Sequence, residues 1–142
     1  MGFLGKLFGT DKPKYPPLDP ASPGGLRMLK SAAVLEPFAK KVQGKIEFIP
    51  GERAIYAYIG APPETFGVVW FEGAEEHNFK TLMKAKKLTD RQMKTISGHL
   101  GAAWTQHKDE PRFEHVIGGK TVVVIGSSAM EADLQKIIHE TD

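Results

Sequence analysis

The sequence predicts an α+β fold: a single domain with a five-stranded, mostly antiparallel sheet packed by helices, in the order α-β-β-β-α-α-β-β-α. Three observations lead there. Residues 45–71 hold three short runs rich in Ile, Val, Tyr, Phe and Trp, separated by turns containing Gly and Pro, which is the pattern of an antiparallel meander. Two stretches of helical period follow, the second opening with a capping signal. A hairpin pattern around Gly118-Gly119 then leads into a last helical period. The chain has 142 residues, 41% hydrophobic and 25% charged, which suits one domain able to bury its own core.

Residues 1–21 read as a flexible N-terminal tail and Pro-rich linker, and residues 22–142 as the single α+β domain. In the tail, Phe3, Leu4, Leu7 and Phe8 fall at helical spacing around Lys6, but a segment this short does not hold a helix alone in water. Pro13, Pro16, Pro17, Pro20 and Pro23 give the linker an extended character. The first helix is expected from Ser22-Pro23, as N-cap and first helical residue, through Met28, Ala32, Leu35, Ala39 and Val42. Gly24 and Gly25 weaken its start, and Pro37 should kink or divide it.

The strands of the meander are Lys45–Ile49, Arg53–Ile59 and Thr65–Phe71. In the second, Ile55, Ala57 and Ile59 share one face while Tyr56 and Tyr58 share the other, expected to be semi-exposed. A helix over Glu75–Lys87 should turn Phe79, Leu82 and Met83 inward. The next opens with a capping box, Thr89 and Gln92, and buries Met93, Ile96 and Leu100. Gly98 and Gly101 make one side of it small, which predicts a close approach by another element. Arg112–Ile117 and Lys120–Ile125 form the hairpin, with Val122–Ile125 apolar on both faces and therefore central. The final helix starts at Ser127 or Ser128, where Ser128 and Glu131 have capping-box spacing, and its stripe is Leu134, Ile137 and Ile138.

Composition removes several function classes. Without cysteine there are no disulfides, thiolate metal sites or cysteine nucleophiles. A net charge of +2 is too small for nucleic-acid binding over the whole surface, and the strand aromatics Trp70, Phe71, Tyr56 and Tyr58 read as packing residues. No run reaches the roughly 18 apolar residues of a membrane span, and prolines interrupt any signal-peptide core, so the cytoplasm is the expected location.

Four features remain as candidates. Lys80, Lys84 and Lys87, at i, i+4 and i+7, form a basic stripe with Arg91 nearby, suited to an acidic protein surface or an anionic membrane surface and equally to plain solvation. The tail residues Phe3, Leu4, Leu7 and Phe8 supply an apolar docking element. Ser127 and Ser128, where a strand meets a helix, present N–H groups able to hold an anion, although no Gly-x-Gly-x-x-Gly or Gly-Lys-Ser/Thr motif accompanies them. The histidines His77, His99, His107, His115 and His139 show no metal-ligand spacing, so no metal site or catalytic residue is predicted, and the sequence leaves open a cofactor held by apolar contacts.

The reading these features favour is a non-enzymatic interaction or adaptor module that uses the basic helical surface and the tethered tail. The alternative is a small ligand sensor or enzyme with a pocket between helices and sheet near His99, His107, His115 and Ser127. The small-sided helix and an expected edge strand at Lys45–Ile49 also raise the expectation of a homodimer.

Overall fold

Ser22 and Pro23 start the first helix as their chemistry dictates. In the computed structural model, which describes residues 15–139, the Ser22 hydroxyl accepts the Gly25 amide at 3.0 Å and Pro23 opens helix α1, Pro23–Lys30. Gly25 is required there: a Cβ would stand 2.2 Å from the Asp19 carbonyl oxygen. Helix α2, Ala32–Lys41, follows after one non-helical residue, Ser31. The break therefore falls at Ser31, and Pro37 lies inside α2.

Strands β1 (Ile46–Pro50), β2 (Ile55–Ala61) and β3 (Thr65–Glu72) form the expected meander. The sheet has six strands, one more than expected. The addition is β4, Glu75–Asn78, a stretch expected to begin the following helix. Gly73, at φ 63°, turns the chain back on β3, and His77 pairs with Trp70 and stacks on it with ring centroids 5.9 Å apart. Helix α3, Phe79–Lys86, begins only where Asn78 caps it by accepting the Thr81 amide at 3.0 Å.

Helix α4, Asp90–Gln106, carries the predicted Thr89–Gln92 capping box. Strands β5 (Arg112–Ile117) and β6 (Lys120–Ile125) make the second hairpin, and helix α5, Ser128–His139, closes the described chain. The strand order is β4-β3-β2-β1-β6-β5. Every neighbouring pair is antiparallel except β1 and β6, which run parallel with Glu47 opposite Val123 and Phe48 opposite Val124. β1 is thus an interior strand, and the edge pairing expected of Lys45–Ile49 does not arise. The edges are β4, short and acidic, and β5, along which Pro16–Leu18 lie: Leu18 N–H donates to the Glu114 carbonyl at 2.9 Å and Glu114 N–H to that of Pro16 at 2.8 Å.

Both faces of the sheet are covered. On one, α1 and α2 pack Met28, Leu35 and Phe38 against Phe48, Phe71 and Val124, with Phe38 edge-on to Phe71 at 5.1 Å. On the other, α3, α4 and α5 cover Tyr56, Tyr58, Trp70 and Ile125 with Leu100, Leu134 and Ile138. The tyrosine face is consequently buried and not semi-exposed. Its hydroxyls are satisfied inside: Tyr58 donates to the Leu100 carbonyl at 2.7 Å, and Tyr56 Oη lies 3.1 Å from His139 Nε2. Burial pushes both phenols well above the ordinary tyrosine range.

Candidate functional site

The parallel pair determines where a cleft can form. β1 and β6 end side by side at Pro50 and Ile125, and from there the chain turns to β2 on one side and to α5 on the other. In open sheets the space beyond the carboxyl ends of parallel strands is where the backbone diverges and leaves a crevice. Here the crevice is a cavity of about 340 Å³. Its walls are apolar, formed by Leu18, Pro50, Phe113, Val124 and Ile125, while the N-terminal turns of α1 and α5 both reach its rim.

Two charged side chains bridge that rim. Arg27 of α1 donates to the Pro50 carbonyl at 3.1 Å and approaches Glu131 of α5 at 3.8 Å and Glu52 at 3.9 Å. Glu131 in turn accepts the Glu52 amide at 2.8 Å. Because only the Pro50 contact is within hydrogen-bond range, the guanidinium keeps donor capacity toward the cavity. Ser127 caps α5 by accepting the Met130 amide at 3.0 Å. The capping box expected between Ser128 and Glu131 does not form, since Glu131 is held by Glu52 and the cap falls one residue earlier. Ser127 and Ser128 nevertheless both line the cleft.

The histidines are placed elsewhere. His99 is exposed on α4, His107 is buried at the end of α4, and His115 is half-buried on β5 opposite Val122, so His99, His107, His115 and Ser127 do not converge. His107 is 7% exposed and lies between two carboxylates: Nε2 is 2.7 Å from Asp133 Oδ2 and Nδ1 is 3.2 Å from Glu110 Oε2. Beside it Glu47, 2% exposed, accepts the Trp104 indole N–H at 2.7 Å and lies 3.7 Å from Arg112 Nε. Arg112 also donates to the carbonyls of Lys108 and Glu110 at 2.6 and 3.2 Å, closing the C-terminus of α4. Arg112 Nη2 has no hydrogen-bond partner among the described residues, and the contacts made by its other nitrogens hold the helix end in place.

Among the described residues no group of three or more His, Asp or Glu side chains is arranged to hold a metal ion, and no helix is long and apolar enough to cross a membrane.

Lys80, Lys84, Lys87 and Arg91 are all exposed. Lys80 and Lys84 share a side of α3, but Lys87 has left the helix for a left-handed cap at φ 53° and Arg91 lies in the first turn of α4, so the four form a patch across a helix junction and not one stripe. Phe3, Leu4, Leu7 and Phe8 lie outside the described residues. Leu18, Arg27 and Phe113 carry no sequence signal that marks them as cleft residues. Only the strand-to-helix step at Ile125–Ser128 marked the place. No protein-family model, curated protein or solved structure matches the chain.

Proposed function

We propose that this domain is a binding module for a small amphipathic molecule, held in the cleft at the ends of β1 and β6. The observation that carries the reading is the cavity itself: about 340 Å³, walled by apolar side chains, with the Arg27–Glu131 pair at its rim. Apolar walls supply affinity, and a few convergent polar groups orient the ligand. An apolar body would rest against Phe113, Val124 and Ile125, and a polar end would meet both a donor, Arg27, and an acceptor, Glu131.

Gly24 offers a way to test this. It lines the cleft, and a Cβ placed there would be 3.4 Å from Pro50 Cγ, an ordinary contact. Gly24→Leu should fill the cavity and leave the sheet intact. Screening small amphipathic fragments by amide chemical-shift changes should perturb residues 22–27, 50–52 and 125–131, and G24L should weaken the best fragment by at least about tenfold. Binding that maps elsewhere, or is indifferent to G24L, would refute the proposal.

A second reading is supported by a different observation. None of the side chains of Lys80, Lys84, Lys87 and Arg91 has a hydrogen-bond or ion-pair partner among the described residues, so their charge is available to an acidic protein surface. In this reading the domain acts as an adaptor, with the patch as its docking face.

A further inference from the structure

Three large hydrophobic side chains are exposed among the described residues: Leu26 at 55%, Leu29 at 67% and Val116 at 62%. Val116 is on the β5 edge, but the two leucines share one side of α1. Met28 is buried beneath them, and at about 100° per residue Leu26, Leu29 and Lys30 point away from it. After Ser31, α2 continues the layer with Ala33, Pro37, Lys40 and Lys41 exposed. Glu36 is the one acidic residue of these two helices, against Arg27, Lys30, Lys40 and Lys41.

Charge along the whole chain is biased in the same sense. The first 45 residues hold eight Lys and Arg against three Asp and Glu, and the remainder eleven against fourteen. Those first residues include Phe3, Leu4, Leu7 and Phe8 with Lys6 among them.

We infer that the outer face of the α1–α2 layer docks on an anionic lipid surface. Leu26 and Leu29 enter the interfacial region, Lys30 meets the headgroups beside them, and Lys40 and Lys41 add to the attraction. A helix ridge of leucine and lysine fits a lipid interface, which needs no complementary pocket. A protein interface is usually centred on aromatic or arginine anchors in a packed core, and α1 has no aromatic residue while Arg27 turns toward the cleft.

The test is co-sedimentation of the full chain with phosphatidylcholine vesicles, with and without phosphatidylserine at about one third of the lipid, at low and high salt. Binding should require phosphatidylserine and weaken with salt. Leu26→Ser/Leu29→Ser should lower partitioning by about tenfold, Lys30→Glu should lower it by severalfold, and Val116→Ser should leave it unchanged. All these side chains are more than a third exposed, so an unchanged melting temperature verifies that each variant is folded. Absent binding, binding indifferent to phosphatidylserine, or equal binding of the L26S/L29S protein would overturn the inference. So would a lipid-free dimer in sedimentation that L26S/L29S abolishes without any vesicle binding, since the face would then join two copies of the chain.

Discussion

Both ring nitrogens of His107 face carboxylate oxygens, and only the imidazolium has an N–H for each. Desolvation acts to lower its pKa, but the hydrogen bonds and charges of Asp133 and Glu110 outweigh it and the net shift is upward. A folded pKa above the unfolded one means stability that is fully present below about pH 6.5 and lost as pH rises through the folded value. His107→Gln should therefore cost about 1 kcal/mol in acid, with the gap to wild type closing toward alkaline pH in urea melts. A gap that widens with pH would contradict the imidazolium assignment. His139 behaves in the opposite sense. Burial first, then Arg53, lowers its pKa, so the ring is favoured as neutral, with Nε2 free to accept from Tyr56. Glu72 Oε2 lies 3.6 Å from His139 Nδ1, and neither this contact nor that of Asp133 with His107 is legible in the sequence, where the partners are far apart.

At the scale of elements, contacts between chain neighbours are legible in the sequence and distant ones are not. The Thr89–Gln92 capping box and the Gly118-Gly119 hairpin involve neighbours in the chain, and both form. The parallel β1–β6 contact joins residues some 76 apart, and no local pattern announces it; that contact creates the cleft, so most of the site was hidden with it. The fourth strand leaves no pattern of its own because Glu75–Asn78 is polar and runs into a helix without a break, and only Asn78 marks the boundary. The two glycines of α4 differ in what they accommodate. A Cβ at Gly101 would contact Phe66 at 3.4 Å and Pro63 at 3.5 Å, whereas at Gly98 it would meet nothing within 4 Å. The predicted close approach thus belongs to Gly101 alone. Gly98→Ala should stabilise the protein by about 0.5–1 kcal/mol through helix propensity, visible as a higher melting temperature, and Gly101→Leu should instead displace the Pro63–Phe66 turn and lower it.

Across the whole molecule, the two helical layers carry different surfaces. The α1–α2 layer is basic with exposed leucines; the opposite layer bears the Lys80, Lys84, Lys87 and Arg91 patch near one end. Reversing Lys80, Lys84 and Lys87 to glutamate should leave the far-UV spectrum and melting temperature nearly unchanged, because exposed charges contribute only about 0–1 kcal/mol per pair. If the patch docks an acidic protein, the same variant should slow association with the partner recovered from native material and remove its salt dependence; unchanged kinetics would reduce the patch to solvated surface. The Pro16–Leu18 segment has a consequence of another kind. It is attached to β5 by two backbone hydrogen bonds about Glu114, and Leu18 is also a wall of the cleft. A force applied ahead of Tyr15 meets those two bonds, with the packing of Tyr15 and Leu18 against the cores, before it reaches the interior strands, so the segment acts as a mechanical fuse. The first event expected under tension is then the withdrawal of Leu18, which removes one wall of the cleft while the strands interior to β5 keep their pairing.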